Sequence, residues 1–290
     1  MPGTRPNPTA SRRALAARLR RMRLTAGKST DDAARELLVS PSKISRLESG
    51  DRMPQPRDVR DLARYYGASE QEVGQLQELV LEARRKGWWE EFSTHDEQSE
   101  TYYGLETAAT RIDMFENLRW PGLLQTPEMT RALLGNLRPE GELGELFIED
   151  QVTLRRKRQE RLLSGEMSFH VVVDEAMFHR PMGDGVVERQ VRRMIELSSD
   201  LTSLKLQVVP FSKGCYPGLD GSFHILSAFE PTDLGPTVLV EGLLGVRLIE
   251  HPKAVEHYRV VFNSIAVKNA LPPVESTAWL KAFLRALAGG

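Results

Sequence analysis

Residues 30–50, TDDAARELLVSPSKISRLESG, decide how this chain is read. Behind Thr30, whose hydroxyl can accept an unpaired amide hydrogen at a helix start, Ala33, Ala34, Leu37 and Leu38 recur at helical spacing. Ser40 supplies a second cap, and Pro41 stands at a first helical position, where a missing N–H costs nothing. Ile44 and Leu47 fall on the inner side of that second helix, Ser42, Lys43, Ser45 and Arg46 stay outside, and Gly50 ends it. Two short helices joined by a tight turn therefore present hydroxyls and cations outward. That chemistry suits base edges in a major groove and the phosphates beside it.

The stretch resembles the helix-turn-helix of lambda-repressor/Cro-type (XRE) DNA-binding domains. The likeness continues upstream through LRRMRLTAG (Leu19 to Gly27) and downstream through DRMPQPRDVRDLARYYG. It implies a pair between Arg23 and Glu48 that locks the first helix against the recognition helix. It also implies a phosphate contact at Thr30, where the family usually has Gln. Leu38 stands where the family usually has a turn glycine that tolerates positive φ, so the turn is expected to be strained or reshaped. Within the recognition helix Ser42 and Arg46 share a face and, with Ser45, are the base-reading candidates. Lys43 and, beyond Gly50, Arg52 are the phosphate-gripping candidates.

Composition bounds the rest. A chain of 290 residues with 40% apolar content has room for two domains with real cores. Its formal net charge of −1 conceals an asymmetry, because residues 1–60 carry 14 Lys/Arg against 6 Asp/Glu and the remainder is correspondingly acidic. A basic head on an acidic body suits a head that meets polyphosphate. A single cysteine, Cys215, excludes an internal disulfide and a cysteine-based zinc cluster. No apolar run reaches membrane-spanning length and the first residues lack a signal-peptide core, so a cytoplasmic, nucleoid-associated protein is expected, with no membrane partner.

The segmentation that follows is a disordered tail over residues 1–10, a five-helix DNA-binding domain over 11–86 and a regulatory or interaction body over 87–290. In the head, helices are expected over Ser11 to Ala26 and Gln55 to Tyr66, with a fifth opened by the capping box Ser69/Glu72 and running to about Arg85. The body reads as α+β around a mixed sheet. A charged helix spans Glu145 to Leu163 with Leu146, Val152 and Leu162 inside and a solvated run at Arg155 to Arg158. FHVVVDE, LKLQVVPF, Gly221 to Ala228, Thr237 to Glu241 and Val246 to Ile249 read as strands, a helix over Val187 to Ser198 separates the first two, and two amphipathic helices close the chain.

Beyond the head, GWW (Gly87 to Trp89), YYGLE (Tyr102 to Glu106), PGLLQT (Pro121 to Thr126), RKRQ (Arg156 to Gln159), DE (Asp174, Glu175), VVPF (Val208 to Phe211), GSF (Gly221 to Phe223) and the closing VESTAWL resemble actinobacterial regulators of the WhiJ-like group. That resemblance implies a transcriptional regulator of development or secondary metabolism, often encoded beside a small partner protein. The expected partners are double-stranded DNA, a second copy of the chain, and such a small protein. An antitoxin-like protein that neutralises its neighbour and autoregulates is the alternative. No catalytic, cofactor or metal site is expected. His170 and His179 flank Asp174 and Glu175 without standard ligand spacing, His251 and His257 lie six apart, and no glycine-rich phosphate loop is present.

Overall fold

A computed structural model describes residues 7–92, 97–136, 144–229, 234–242 and 245–289. The chain divides into two compact units. One holds the residues up to Glu91 together with Tyr103–Ala108 and Ala228–Gly235; the other holds Phe92–Tyr102, Ala109–Ser227 and Pro236–Gly290.

The first unit is built on α1 (Pro8–Thr25), α2 (Thr30–Glu36), α3 (Pro41–Glu48), α4 (Pro56–Tyr65) and α5 (Glu70–Ala83). Leu15, Leu19, Ile44, Leu62, Leu76 and Val80 meet in one core. Helix α1 opens three residues earlier than its apolar spacing predicts. The Asn7 side chain accepts from the Ala10 amide, Pro8 takes a first-turn position, and Asn7 Nδ2 donates to the Gly104 carbonyl at 2.7 Å. Thr9 and Ala10 are buried, and a Cβ added at Gly104 would lie 2.4 Å from Thr9. Residues 7–10, expected in an unfolded tail, are therefore folded; the rest of that tail lies outside the described residues.

The cap of α2 is Ser29, not Thr30. Ser29 Oγ accepts from the Asp32 amide at 3.1 Å and Asp32 Oδ2 accepts from the Ser29 amide at 2.9 Å, a reciprocal box that leaves Thr30 as the first helical residue. Ser40 with Pro41 opens α3, and Ser69 with Glu72 opens α5. In the GWW segment, Trp89 is buried over Gly87, where a Cβ would come within 2.3 Å of the indole, and Trp88 Nε1 donates to Thr107 Oγ1 at 3.3 Å.

α6 (Glu97–Ala108) is divided between the units at Tyr103, and the second unit goes on with β1 (Ala109–Glu116), α7 (Pro127–Asn136), α8 (Glu145–Leu163), β2 (Ser168–Asp174), α9 (Val186–Asp200), β3 (Leu204–Val209), β4 (Phe223–Phe229, up to Ser227), β5 (Thr237–Gly242), β6 (Gly245–Ile249), α10 (Pro252–Ser264) and α11 (Pro273–Gly289). The strands form one mixed sheet in the order β3-β2-β1-β4-β5-β6. β1, β2 and β3 run parallel, with Phe115 beside Val172 and Val172 beside Gln207, whereas β5 is antiparallel to both β4 and β6. This is an α+β protein with a helical head and a mixed sheet.

Strand β1, near the middle of the sheet, is absent from the sequence reading. Two expectations for α8 also fail. Leu146 is 89% exposed, since it lies in the first turn, ahead of the buried stripe of Val152, Leu154 and Leu162. The cation run is not simply solvated, because Lys157 lies over the Phe92 ring and Arg158 stacks on Tyr102 and donates to its hydroxyl at 3.0 Å. On α9 the inner side is Val186, Val191, Met194 and Leu197, with Val187 and Ile195 only half-buried.

Glutamines, two buried and one half-buried, hold PGLLQT. Gln190, fully buried, donates to the Leu124 carbonyl and accepts from the Thr126 amide, both at 2.7 Å. Gln159 donates to the carbonyls of Gly122 and Gln125, and Gln125 donates to that of Trp120. A loop threaded through a core must satisfy its peptide groups internally, and amides supply a donor and an acceptor each.

Leu38 carries the residual strain of the head. It adopts φ +53° in the α2–α3 turn and is 92% exposed, so it lies outside the core to which its spacing would assign it. A Cβ in the left-handed region costs about 1–2 kcal/mol, and no packing offsets it here. Leu38→Gly is expected to stabilise the helical unit by about 1 kcal/mol after glycine's own entropic cost. Thermal and urea denaturation of the two proteins would show it, and an unchanged or lowered midpoint would contradict the strain.

Candidate nucleic-acid interface

Helix α3 is held from behind by one polar cluster. Arg23 on α1 donates through Nε to both oxygens of Glu48 on α3, at 2.8 and 3.0 Å, and through Nη2 to Oε2 at 2.9 Å. Its Nη1 donates to the Lys28 carbonyl at 2.9 Å, tying the segment that leads into α2 to the same guanidinium. Arg23 and Glu48 are 9% and 7% exposed, and the Tyr66 hydroxyl donates to Glu48 Oε1 at 3.4 Å. The hydrogen bond to Glu48 raises the Arg23 pKa, and burial, followed by the Glu48 charge, raises that of Tyr66. A bidentate guanidinium–carboxylate pair fixes relative orientation as well as distance, so it sets the angle at which α3 leaves the domain.

What α3 then presents is Ser42, Ser45 and Arg46, all exposed, with Arg52 exposed in the loop beyond Gly50. Gly50 has φ +80°, and the Arg52 amide donates to the Arg46 carbonyl at 3.0 Å, which returns the chain past the helix end. Neither Arg46 nor Arg52 has an ion-pair partner among the described residues. Lys43 is placed otherwise: its Nζ lies 2.7 Å from Asp58 on α4, and both side chains are largely buried. Its charge is answered within the domain, and gripping a phosphate would require opening that pair. Thr30 is half-buried at the start of α2. The cations after α5 are also partly engaged, Arg84 with the Pro54 carbonyl and Arg85 with Glu82.

The body's histidines and acids do not form one constellation. Asp174 caps the following turn through the Ala176 amide at 2.7 Å and accepts from the Tyr216 hydroxyl. Glu175 accepts from the Phe211 amide at 2.7 Å and lies 3.2 Å from His179, which stacks on the Phe211 ring. His170 is a core residue, edge-on to Phe262, with Nε2 2.7 Å from Gln207 Oε1. Among the described residues no group of three or more His, Cys, Asp or Glu could hold a metal ion, and no helix is long and apolar enough to cross a membrane.

Residues 14–76 match the model of a helix-turn-helix domain, and residues 99–282, more than half of the chain, match that of a domain of unknown function, DUF5753. No curated protein and no solved structure matches.

Two measurements test this geometry. Glu48→Ala leaves the Arg23 guanidinium buried without its counter-charge, and should cost the helical unit about 3–5 kcal/mol. Calorimetry should show its transition lowered while that of the sheet-containing unit stays in place; an unmoved transition would mean that the pair bears no load. His170 gives a pH signature. Burial, more than any neighbouring charge, holds its pKa below the ordinary 6.5. Gln207, Lys205, Asp113 and Arg111 contribute smaller effects. The unfolded chain therefore takes up a proton that the folded one refuses, so stability is full above pH 6.5 and falls as the pH drops below it. Urea titrations at pH 7.5 and 5.5 should show this loss reduced in His170→Gln; equal losses would place the proton uptake elsewhere.

Proposed function

Because this chain belongs to the DUF5753 family and carries a helix-turn-helix domain ahead of that region, we propose that it is a sequence-specific, DNA-binding transcriptional regulator. The observation that carries this is the pairing of a rigid back with an open front on α3. Arg23 and Glu48 clamp the helix from inside, while Ser42, Ser45 and Arg46 face solvent without internal partners for the guanidinium. We read the head as XRE-type, its recognition helix lying in a major groove. Arg46 would bond guanine O6 and N7 through two parallel donors, Ser42 and Ser45 would add weaker contacts, and Arg52 would hold a flanking phosphate. Lys43 contributes less to that grip than its exposed position in sequence would suggest, because Asp58 already neutralises it. Thr30 offers its hydroxyl to a phosphate at the start of α2.

The protein acts as a dimer in this reading, since one eight-residue recognition helix reads only a short half-site. The wider assignment is to WhiJ-like actinobacterial control of development or secondary metabolism, in the cytoplasm, with the body receiving a small protein or ligand and performing no catalysis. It rests on the spread of GWW, PGLLQT, RKRQ and VESTAWL along the chain.

Selection of the bound sequences, followed by titrations at two salt concentrations, tests the site. Arg46→Ala should lose about 1–3 kcal/mol on the selected operator and relax one base pair per half-site, with little change on random DNA. Arg52→Ala should weaken both equally and reduce the salt slope by about one. Equal losses of Arg46→Ala on operator and random DNA would make Arg46 a phosphate contact, and absence of any sequence preference would end the regulator reading.

A further inference from the structure

Helix α3 is held at both of its ends by charge, to a different neighbour at each. At its last residue Glu48 is bound to Arg23 of α1. In its first turn Lys43 places its ammonium 2.7 Å from Asp58 Oδ2, in the first turn of α4. The two side chains are only 20% and 17% exposed, and Asp58 Oδ2 is buried with no other partner among the described residues. The backbone of Lys43 is fixed as well, since its amide donates to Oγ of the Ser40 cap at 3.3 Å. Between the two ends Ile44 and Leu47 are buried in the core.

The placement of the cation is informative. A positive side chain in a first turn meets the positive end of its own helix dipole, and α3 has no acidic residue there to offset it. Asp58 is well placed for α4 by the same rule, so what answers Lys43 comes from the next helix. Apolar contacts at Ile44 and Leu47 resist separation of α3 from the core, but they are non-directional and resist its turning poorly. A tilt of about 10° pivoting on Glu48 would carry Ser42, six residues up the helix, through about 1.6 Å. A donor moved that far leaves the roughly 2.7–3.2 Å range of a hydrogen bond.

We infer that Lys43 is a positioning residue, and that with Asp58 it fixes the aim of α3 so that Ser42 and Arg46 meet base edges. The inference rests on the DNA-binding reading above and gives Lys43 a different part from the phosphate contact that its place in the sequence suggests. Its ammonium holds a carboxylate of its own domain, whereas Arg46 and Arg52 have no such partner among the described residues.

The two parts predict opposite signs at Asp58. If Lys43 grips a phosphate, Asp58 competes for it. Asp58→Asn then frees a cation, all DNA binds more tightly, and the salt slope steepens by about one. If the pair aims α3, Asp58→Asn loosens the first turn, operator affinity falls, and random DNA and the slope stay as they were.

Titrations of the full chain on its selected operator and on random DNA, at two salt concentrations, decide between them. Asp58→Asn should lower the operator-to-random affinity ratio about fivefold or more, the low end of what one bidentate base contact contributes, at an unchanged salt slope. Lys43→Met combined with Asp58→Leu removes both charges together, so no buried charge is left unpaired to unfold the head. It should show the same lowered ratio and the same slope. Tighter binding of Asp58→Asn to all DNA with a steeper slope, a double variant whose slope falls by about one, or a ratio unchanged in both variants overturns the inference and leaves the regulator reading standing. An unaltered chain with no operator preference removes that reading itself.

Discussion

A guanidinium and a carboxylate buried together are the constraint on which the head depends. An isolated charge in that position would be expelled or neutralised, so Arg23 and Glu48 tolerate burial only in each other's presence. Each nitrogen of Arg23 is used: two face Glu48 and the third holds the Lys28 carbonyl. One side chain thereby fixes α1 to α3 and secures the entry into α2. Helices as short as α2 and α3, with seven and eight residues, have little stability of their own. Their caps and this clamp, with the apolar core behind them, hold them at a defined angle.

The body meets a different demand with similar means. Among the described residues its most buried polar groups are uncharged, amides and hydroxyls such as Gln190, Thr237, Ser276 and Thr130, and amides in particular hold irregular backbone where regular structure is absent. Gln190 and Gln159 do this for the PGLLQT loop, and Gln207 for the segment around Leu271. Asn117 and Ser222 do it near the end of β1, where the Asn117 amide donates to Ser222 Oγ at 3.1 Å. The resemblance-bearing motifs of the body are largely places where a side chain completes a buried backbone. That accounts for their distinctiveness.

Much of this was legible in the sequence, and the failures share a cause. Caps and periodicity are local, so α3, α5, α8 and the later strands lie within a few residues of expectation. Arg23 and Glu48 were reached through family resemblance, not periodicity. Strand β1 escaped because no Gly or Pro separates it from α6, and because Asp113 and Glu116 are buried in it among apolar neighbours, erasing the alternation that marks a half-buried strand. The sequence reading names Thr30 alone as the cap, whereas Ser29 next to it also carries a hydroxyl, and the reply from Asp32 settles the cap on Ser29. The Lys43–Asp58 pair joins two helices and leaves no mark in either. Contacts made across elements are invisible to a pattern that runs along one.

The central placement of β1 bears on how the chain is made. Its neighbour on one side, β2, follows after about fifty residues, but the strand on its other side, β4, lies more than a hundred residues downstream. At synthesis rates of 5–20 residues per second, that flank waits roughly 5–20 s for its partner. The core helices of the head are complete by Ala83 and depend on contacts close in sequence, so they can assemble while the sheet is still being translated. The body is therefore the slow and exposed half of biogenesis. A chaperone that shields β1 would act on a nascent chain whose DNA-binding end is already built.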